Sequence, residues 1–400
     1  WFLKKGKDIF WPSIAAVIIM YITIYIGALL PIDFKVLFGM TGKQALISWI
    51  IIVFVLDAWL ASSLPVDTLL QPRDYINSHQ LLIAMGLLAV GVIVAHPTIV
   101  APATNFAAKG APPVWPMIFV VIACGAISGF HSLVSSGTSS KQCNNEGDSL
   151  FIGYGSMLME GTLSVLVIVA VAGGLGLGLA VKGGDTLMGI AAFNHHYASW
   201  GAAAGLGSKI GAFVTGSANM MQSYGIPAFF ALAIMAVFIV SFAATTLDSA
   251  TRIQRYVVVE LSTAWKIKPL TGRQAATAFA VLSAVLLAFY DGSGKGALKL
   301  WPLFGSVNQL LAGLGLLVVT IYLARKKISI VYTCIPMIFM LFMTGWAMIL
   351  NIQKFYSTAN WLLFVIGLCV FVLELWMILE SIVVMKTVYA KEEGLPAAVT

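Results

Sequence analysis

The chain has 400 residues, of which 60% are hydrophobic and only 10% are charged. Soluble domains carry roughly 25% charged residues, so this composition excludes a water-soluble globular fold and favours a membrane protein. The formal net charge of +7 does not by itself indicate a nucleic-acid partner, because its meaning depends on where the basic residues lie. We predict a single transmembrane domain over residues 1–400 and no nucleic-acid partner.

In chain order, ten apolar segments are long enough for a helix to cross the hydrocarbon core of a bilayer, which takes about 20 residues. The predicted spans are residues 11–30, 45–66, 79–96, 114–134, 151–181, 227–247, 274–290, 301–323, 330–350 and 360–385. This pattern predicts an all-α integral membrane protein, a polytopic bundle of about ten transmembrane helices. When the spans alternate across the membrane, most of the 23 basic residues fall on one side, which predicts that both termini are cytoplasmic.

Two connecting segments stand apart from the spans. Residues 182–226 are too long and too rich in Gly, Ser and Ala for a simple hairpin, and we predict an extracytoplasmic loop or re-entrant element there. Residues 248–273 carry Arg252 and Trp265 where a cytoplasmic interfacial helix would meet lipid head groups.

The most irregular stretch of the chain, residues 123–142, begins in the fourth span and continues beyond it, and in this stretch glycines and serines surround one histidine. Irregular backbone persists in lipid only where protein or a watery cavity satisfies its polar groups, so we predict a broken helix. The exposed ends of such a helix suit a substrate that bears a carboxylate. Candidate hydrogen-bonding groups for that substrate are His131, Ser128, Ser135, Ser136 and Thr138. The alternative is that the small residues only allow helices to pack closely.

Ionisable side chains within apolar spans are candidates for ion or proton coupling. Asp248 lies one helical turn before Arg252, so it either carries a coupling proton, with Thr245 beside it, or forms an interfacial ion pair. Asp57, in the middle of a span, is either a proton relay or a structural partner, and Glu160 is either a coupling group or a buried hydrogen-bonding group.

Other polar residues in the spans have a predicted structural use. Arg73 and Asp74 are expected to pair locally, whereas Asn308 and Gln309 need partners in a neighbouring helix or in substrate. Glu374 and Glu380 on the last span are assigned to helix packing or subunit contacts.

No soluble-enzyme signature is present: the chain contains no P-loop, no G-x-S-x-G and no H-E-x-x-H. The four cysteines show no spacing typical of a metal site. We therefore expect neither a cofactor nor a metal, and no enzymatic activity.

Five segments make the chain resemble the carbon starvation protein A family, and the resemblance covers nearly the whole chain. They are L-P-V-x-x-L-L-Q-P-R-D-Y-I-N-S (64–78), A-C-G-A-I-S-G-F-H-S-L-V-S-S-G-T (123–138), F-I-G-Y-G-S-M-L-M-E-G (151–161), T-T-L-D-S-A-T-R (245–252) and L-W-P-L-F-G-S-V-N-Q-L-L-A (300–312).

The resemblance implies a multi-pass transporter of the bacterial inner membrane for peptides or pyruvate, with proton coupling in the pyruvate members. It also implies inverted five-helix repeats of the APC/LeuT type with broken helices. Roles in the substrate pathway are implied for residues matching the family's pattern, namely Gly125, Ser128, Gly129, His131 and Gly137.

Two features depart from the family's pattern. Family members usually begin with a further membrane region, and this chain opens at Trp1, so we expect it to correspond to part of a family member. Asp57 and Asp67 stand where aromatic residues are expected, which points to altered coupling or specificity.

The leading hypothesis is a proton-coupled or otherwise ion-coupled symporter for a small carboxylate or short peptide, embedded in the lipid bilayer as a monomer or homo-oligomer. Two alternatives stay open. One is a membrane receptor that senses the same ligands. The other is a membrane enzyme, which would require Asp57, Glu160, Asp248 and His131 to converge.

Overall fold

The computed structural model describes residues 8–106, 108–121, 127–181, 183–203 and 205–392. Nearly all of its secondary structure is helical. In chain order the helices are α1 (Phe10–Leu29), α2 (Phe34–Phe38), α3 (Gly42–Ile51), α4 (Trp59–Ser63), α5 (Leu70–Ala95), α6 (Val114–Val121), α7 (Gly129–Gly137), α8 (Asp148–Leu150), α9 (Ser156–Ala172), α10 (Gly189–His196), α11 (Leu206–Gln222), α12 (Ala228–Ala264), α13 (Arg273–Phe289), α14 (Trp301–Arg325), α15 (Val331–Ser357) and α16 (Trp361–Glu392).

Two π-helical turns, Ile52–Ala58 and Phe151–Gly155, join α3 to α4 and α8 to α9. Turns of 3₁₀ helix occur at Ser139–Lys141, Gly174–Leu177, Lys268–Leu270 and Gly296–Leu300. The described strands form one short antiparallel pair, β1 (Leu179–Ala180) with β2 (Thr186–Leu187), in which Leu179 faces Leu187.

Eight helical stretches among the described residues are long and apolar enough to cross a membrane, which confirms the predicted all-α polytopic membrane fold. They are Phe10–Leu29, Gly42–Ser63, Leu70–Ala95, Asp148–Leu177, Ala228–Ala264, Gly296–Arg325, Val331–Ser357 and Trp361–Lys386. Each corresponds to one of the ten predicted spans. The inverted-repeat arrangement stays a prediction.

The other two predicted spans have a different structure. Of the segment 114–134, residues 114–121 form α6, residues 122–126 lie outside the described residues, and α7 begins at Gly129. The backbone of Ser128, just before α7, is extended, with φ −115° and ψ 130°. The segment 274–290 is the apolar helix α13 of 17 residues, about 26 Å long at 1.5 Å per residue and so shorter than a typical hydrocarbon core. A hydropathy profile shows neither the break before α7 nor the short length of α13.

Local sequence signals account for several helix starts. Thr41 and Gln44 form a capping box at the beginning of α3, in which each side chain accepts a hydrogen bond from the other residue's backbone N–H. Pro302 lies in the first turn of α14 and Pro72 in the first turn of α5, where the absence of a proline N–H costs no intrahelical hydrogen bond.

The contacts between residues divide the chain into two compact units. Unit 1 comprises residues 1–111 and 158–296, and unit 2 comprises residues 112–157 and 297–400. In unit 1, buried side chains of α1, α5, α9, α11 and α12 form one apolar core that includes Leu88, Phe213, Met220 and Met235. In unit 2, α14, α15 and α16 pack around Leu303, Met348, Phe355 and Leu363.

Helix α11 lies within the segment 182–226 and packs closely in the core of unit 1. A Cβ on Gly216 would overlap the backbone of Ala170, so only glycine permits this approach. The amide of Asn219 donates to the carbonyls of Gly174 and Gly178, at 3.0 and 2.7 Å, which anchors the turn that follows α9. The placement of the segment 182–226 as an extracytoplasmic or re-entrant element stays a prediction.

Helix α12 has 37 residues and measures about 56 Å, longer than the roughly 30 Å hydrocarbon core. Residues 248–264, the first part of the segment 248–273 that was predicted as an interfacial helix, continue α12 without interruption, and α13 begins at Arg273. The location of residues 248–273 at the cytoplasmic membrane surface stays a prediction.

Candidate functional site

An ion-pair cluster links three elements of unit 1. Arg73 of α5 donates through Nη1 to Oδ2 of Asp248 on α12, and through Nη2 to Oδ2 of Asp57 in the π-helical turn at 3.3 Å. Asp248 is 1% exposed, whereas the side chains of Arg73 and Asp57 are 23% and 37% exposed. One guanidinium is thus shared by a buried and a partly exposed carboxylate.

The second carboxylate oxygen of Asp248, Oδ1, is buried and has no hydrogen-bond partner among the described residues. A carboxylate in an apolar interior is expensive unless its charge is balanced, so Arg73 is what makes the charged form of Asp248 tolerable there. A change in the charge of Asp248 would therefore change how α5 and α12 are held together.

A neutral hydrogen-bond network lies one helical turn away from the ion pairs. Asn77 of α5 donates through Nδ2 to Oγ1 of Thr245 at 2.6 Å, and Ser241 of α12 donates to Oδ1 of Asn77 at 2.8 Å. Thr245 in turn donates to the carbonyl of Ser241 at 3.1 Å. The two helices are thus joined at successive turns, first by amide and hydroxyl groups and then by charge.

Arg252 does not serve as the hydrogen-bond partner of Asp248 that its helical spacing suggested. Its Nη2 donates to the carbonyls of Ala61 and Leu64, at 2.6 and 3.0 Å, and its side chain is buried. The last carbonyls of a helix have no intrahelical donor, and the end of α4 receives this guanidinium instead. Arg73, predicted to pair locally with Asp74, forms ion pairs with Asp57 and Asp248.

Glu160 makes no hydrogen bond or ion pair with this cluster in the part of the chain that the structure describes. It lies on α9, partly exposed, and its backbone carbonyl accepts from Ser164. Of the four predicted coupling residues, the structure brings together Asp57, Asp248 and Thr245, while a coupling role for any of them stays a prediction.

The predicted substrate segment lies in unit 2, where α7 begins at Gly129. Asn308 of α14 accepts through Oδ1 from the backbone N–H of Phe130 at 2.9 Å and also exchanges hydrogen bonds with Oγ of Ser128. The first turn of a helix has unpaired N–H groups, and Asn308 supplies one of the missing acceptors. The break at Ser128 is therefore stabilised by a neighbouring helix.

Gly129 lies directly against the backbone of α14. A Cβ at this position would overlap the carbonyl oxygen of Asn308 and Cβ of Leu311, and would lie 2.8 Å from the backbone nitrogen of Ala312. Close packing, the alternative interpretation of the small residues, is thus what Gly129 provides.

The hydroxyls of α7 bond mainly within the helix itself. Ser135 donates to the carbonyl of Ser132 at 2.9 Å, and Ser136 donates to that of Leu133 at 3.2 Å. Both serines and His131 are exposed in the described structure, whereas Thr138 is buried and its hydroxyl lacks a partner among the described residues. Gly137 ends the helix, and Gly125 lies outside the described residues.

A cavity of about 380 Å³ lies beside the start of α7 within unit 2. Its lining is apolar apart from Asn308 and includes Phe130, Leu133, Phe304 and Ile366. Apolar walls of this kind do not offer the charge needed to hold a carboxylate, so binding of substrate by the α7 residues stays a prediction. In the part of the chain that the structure describes, no group of three or more His, Cys, Asp or Glu side chains is arranged to hold a metal ion.

The sequence did not reveal which residues form hydrogen bonds with the candidate site residues. These partners are Arg73, Asn77, Ser241 and Asn308. A signal for two of them was present, because Arg73 and Asn77 lie one helical turn apart in the segment Q-P-R-D-Y-I-N-S and so share a helix face. Which helix that face meets was not contained in the spacing.

Comparisons with known proteins place these segments in context. The family model described as "Carbon starvation protein CstA" matches residues 1–347. A protein named "Peptide transporter CstA" from Helicobacter pylori (strain J99) is 31% identical over 385 residues, covering 85% of this chain and 55% of the relative. A second protein of that name, from Mycobacterium tuberculosis (strain H37Rv), is 33% identical over 326 residues, covering 70% of this chain and 42% of the relative.

A protein named "Pyruvate/proton symporter BtsT" from Escherichia coli (strain K12) is 31% identical over 421 residues, covering 89% of this chain and 57% of the relative. The chain thus spans about half the length of the curated relatives it matches. No solved structure matches it.

Proposed function

The chain belongs to the carbon starvation protein CstA family, and from this premise we propose that it forms part of a secondary active transporter for pyruvate or short peptides. The proposal is supported by relatives that are named a peptide transporter and a pyruvate/proton symporter. We place it in the bacterial inner membrane with both termini in the cytoplasm, as a transporter without enzymatic activity.

The ion-pair cluster of unit 1 is the observation that carries the mechanism. Asp248, Arg73 and Asp57 come from three elements, and the buried carboxylate of Asp248 accepts a hydrogen bond from the guanidinium of Arg73. Because charges attract strongly in a medium of low dielectric constant, this contact holds α5 to α12 as long as Asp248 is ionised. We propose that proton uptake by Asp248 weakens this contact and leaves Arg73 paired with Asp57.

The contact between Arg73 and Asp248 can be closed or open, and a coupling ion can shift the equilibrium between these two states. A ligand shifts a conformational equilibrium only by the difference between its affinities for the two states. A proton binds more tightly to the state in which Asp248 is separated from Arg73, and so favours that state. The hydrogen bonds of Asn77 with Thr245 and Ser241 keep the same two helices in register when the charge contact loosens.

Uptake into membrane vesicles tests the proposal. Vesicles from cells expressing the protein are given labelled pyruvate or a labelled dipeptide, with and without an imposed inward pH gradient. We expect accumulation of one of these substrates above that in control vesicles, driven by the gradient, and loss of the gradient-driven part in Asp248→Asn. Glu260→Gln is the matched control, because Glu260 is an exposed acid on the same helix. If neither substrate accumulates, the substrate class is wrong, and if Asp248→Asn keeps gradient-driven accumulation, the coupling role is wrong.

A further inference from the structure

Each helix of the α14–α15–α16 bundle in unit 2 carries a buried polar side chain with an unsatisfied atom. Gln309 of α14 and Thr344 of α15 are 0% exposed, and Glu374 of α16 is 2% exposed. Both polar atoms of the Gln309 amide, the hydroxyl of Thr344 and Oε2 of Glu374 have no hydrogen-bond partner among the described residues. A buried polar group without a partner costs free energy, so these three call for an explanation.

Contacts between the helices place the three residues in the same part of the bundle. Between α14 and α15, Gly313 faces Leu341, and Ser306 accepts a hydrogen bond from Asn351 at 2.9 Å. Gln309 lies between the two contact points on α14. Thr344 lies between the corresponding points on α15, so the two residues lie within about one helical turn of each other along the bundle.

Glu374 reaches the same part of the bundle from the third helix. A Cβ on Gly345 would lie 3.3 Å from Oε1 of Glu374 and 3.8 Å from its Cδ, so the carboxyl group rests on α15 at Gly345, the residue that follows Thr344 in the chain. The missing side chain of Gly345 is what leaves room for it.

Among the described residues of the neighbouring helices, no basic side chain lies near this carboxyl group. The described basic residues on α14 and α15 are Arg325 and Lys354, both in the last turn of their helices. Lys354 is nine residues after Gly345, about 14 Å along the helix axis, and Arg325 is farther from the level of Gln309. Among the described side chains, the other ionisable groups of the bundle and of α7, which packs on α14, are the exposed His131 of α7, Tyr322 of α14, Tyr332, Cys334 and Tyr356 of α15 and, on α16 itself, Cys369, Glu380 and Lys386.

We propose that Glu374 is the binding site of a monovalent cation, a proton or a sodium ion, held in this part of the three-helix bundle. A carboxylate buried without a cationic side chain requires another source of positive charge, and a small cation that binds oxygen supplies it. Thr344 and Gln309 provide a buried hydroxyl and a buried amide in the same part of the bundle. The site belongs to unit 2 and is separate from the ion pairs of Asp248.

This inference rests on the proposed function only for its use in coupling, because occupancy of Glu374 is measured without transport. The reagent is dicyclohexylcarbodiimide, an apolar carbodiimide that adds to protonated carboxyl groups in dry surroundings. The purified protein in detergent is labelled over a range of pH, with and without sodium, and the adduct is located by peptide mass spectrometry.

We expect an adduct on Glu374 that increases several-fold as the pH falls. It should be absent in Glu374→Gln and retained in Glu380→Gln, the exposed glutamate of the same helix. Glu146, an exposed acid in a loop, should stay unlabelled and serves as an internal control in every sample. Protection by sodium at constant pH identifies sodium as the cation, and labelling that sodium does not change identifies the proton.

The proposal is overturned if the wild-type protein shows no adduct at Glu374 at any pH, or if labelling there does not depend on pH or on sodium. These outcomes are read from the wild-type protein, so they stand even where Glu374→Gln fails to fold. Loss of substrate uptake with normal labelling of Glu374 would instead contradict the proposed function alone.

Discussion

Replacing Gly129 by alanine should destabilise unit 2, although alanine is the better helix former. The added Cβ would overlap Asn308 and Leu311 and lie 2.8 Å from the backbone nitrogen of Ala312. Because most of these are main-chain atoms, they cannot rotate away, and α7 must move off α14. Overpacking costs about 1–3 kcal/mol, and we take the upper end for a main-chain overlap. The gain in helix propensity is at most about 1 kcal/mol, which leaves a net loss of about 2 kcal/mol.

The assay is thermal unfolding of the purified protein in detergent, with Gly86→Ala as the matched control. Gly86 lies within α5, and a Cβ there would meet no atom within 4 Å. This control should leave the unfolding temperature unchanged or raise it slightly. Our reasoning would be refuted if Gly129→Ala unfolded at the temperature of the wild type or above it, because α7 would then not be packed against α14 at this point.

Three further predictions concern the contacts described above. Arg73→Met should destabilise the protein by about 3 kcal/mol, and more than Asp248→Asn, because only the first change leaves a buried carboxylate unpaired; equal losses in chemical denaturation would contradict this. Thr245→Val should cost about 1–2 kcal/mol by depriving the amide of the neighbouring helix of its acceptor, whereas Thr246→Val, whose hydroxyl bonds within its own helix, should cost clearly less in the same assay. Asn308→Ala should cost about 1 kcal/mol and speed amide hydrogen exchange in the first turn of α7, while Asn308→Asp, which keeps the acceptor, should retain the protection.

Much of the membrane fold follows from composition and from the length of the apolar runs. Eight predicted spans correspond to helices because about 20 apolar residues in lipid leave the backbone few alternatives to a helix. The break near Ser128 was also predictable, since glycines and serines cluster there. The residue that stabilises it, Asn308, lies 180 positions along the chain, and no local pattern indicates that pairing.

The polar contacts of unit 1 likewise separate what the sequence predicts from what helix packing decides. The sequence alone identified Asp57, Thr245 and Asp248 as unusual, because charged and hydroxyl groups near membrane depth need partners. From spacing along one helix, it offered an ion pair with Arg252 as one of two roles for Asp248, and a local pairing with Asp74 for Arg73. The packing of α5 against α12 decided otherwise and brought Arg73 to Asp248, while Arg252 reached the end of α4. Helix periodicity determines which face a residue occupies, but only the packing of helices distant in sequence decides what that face meets.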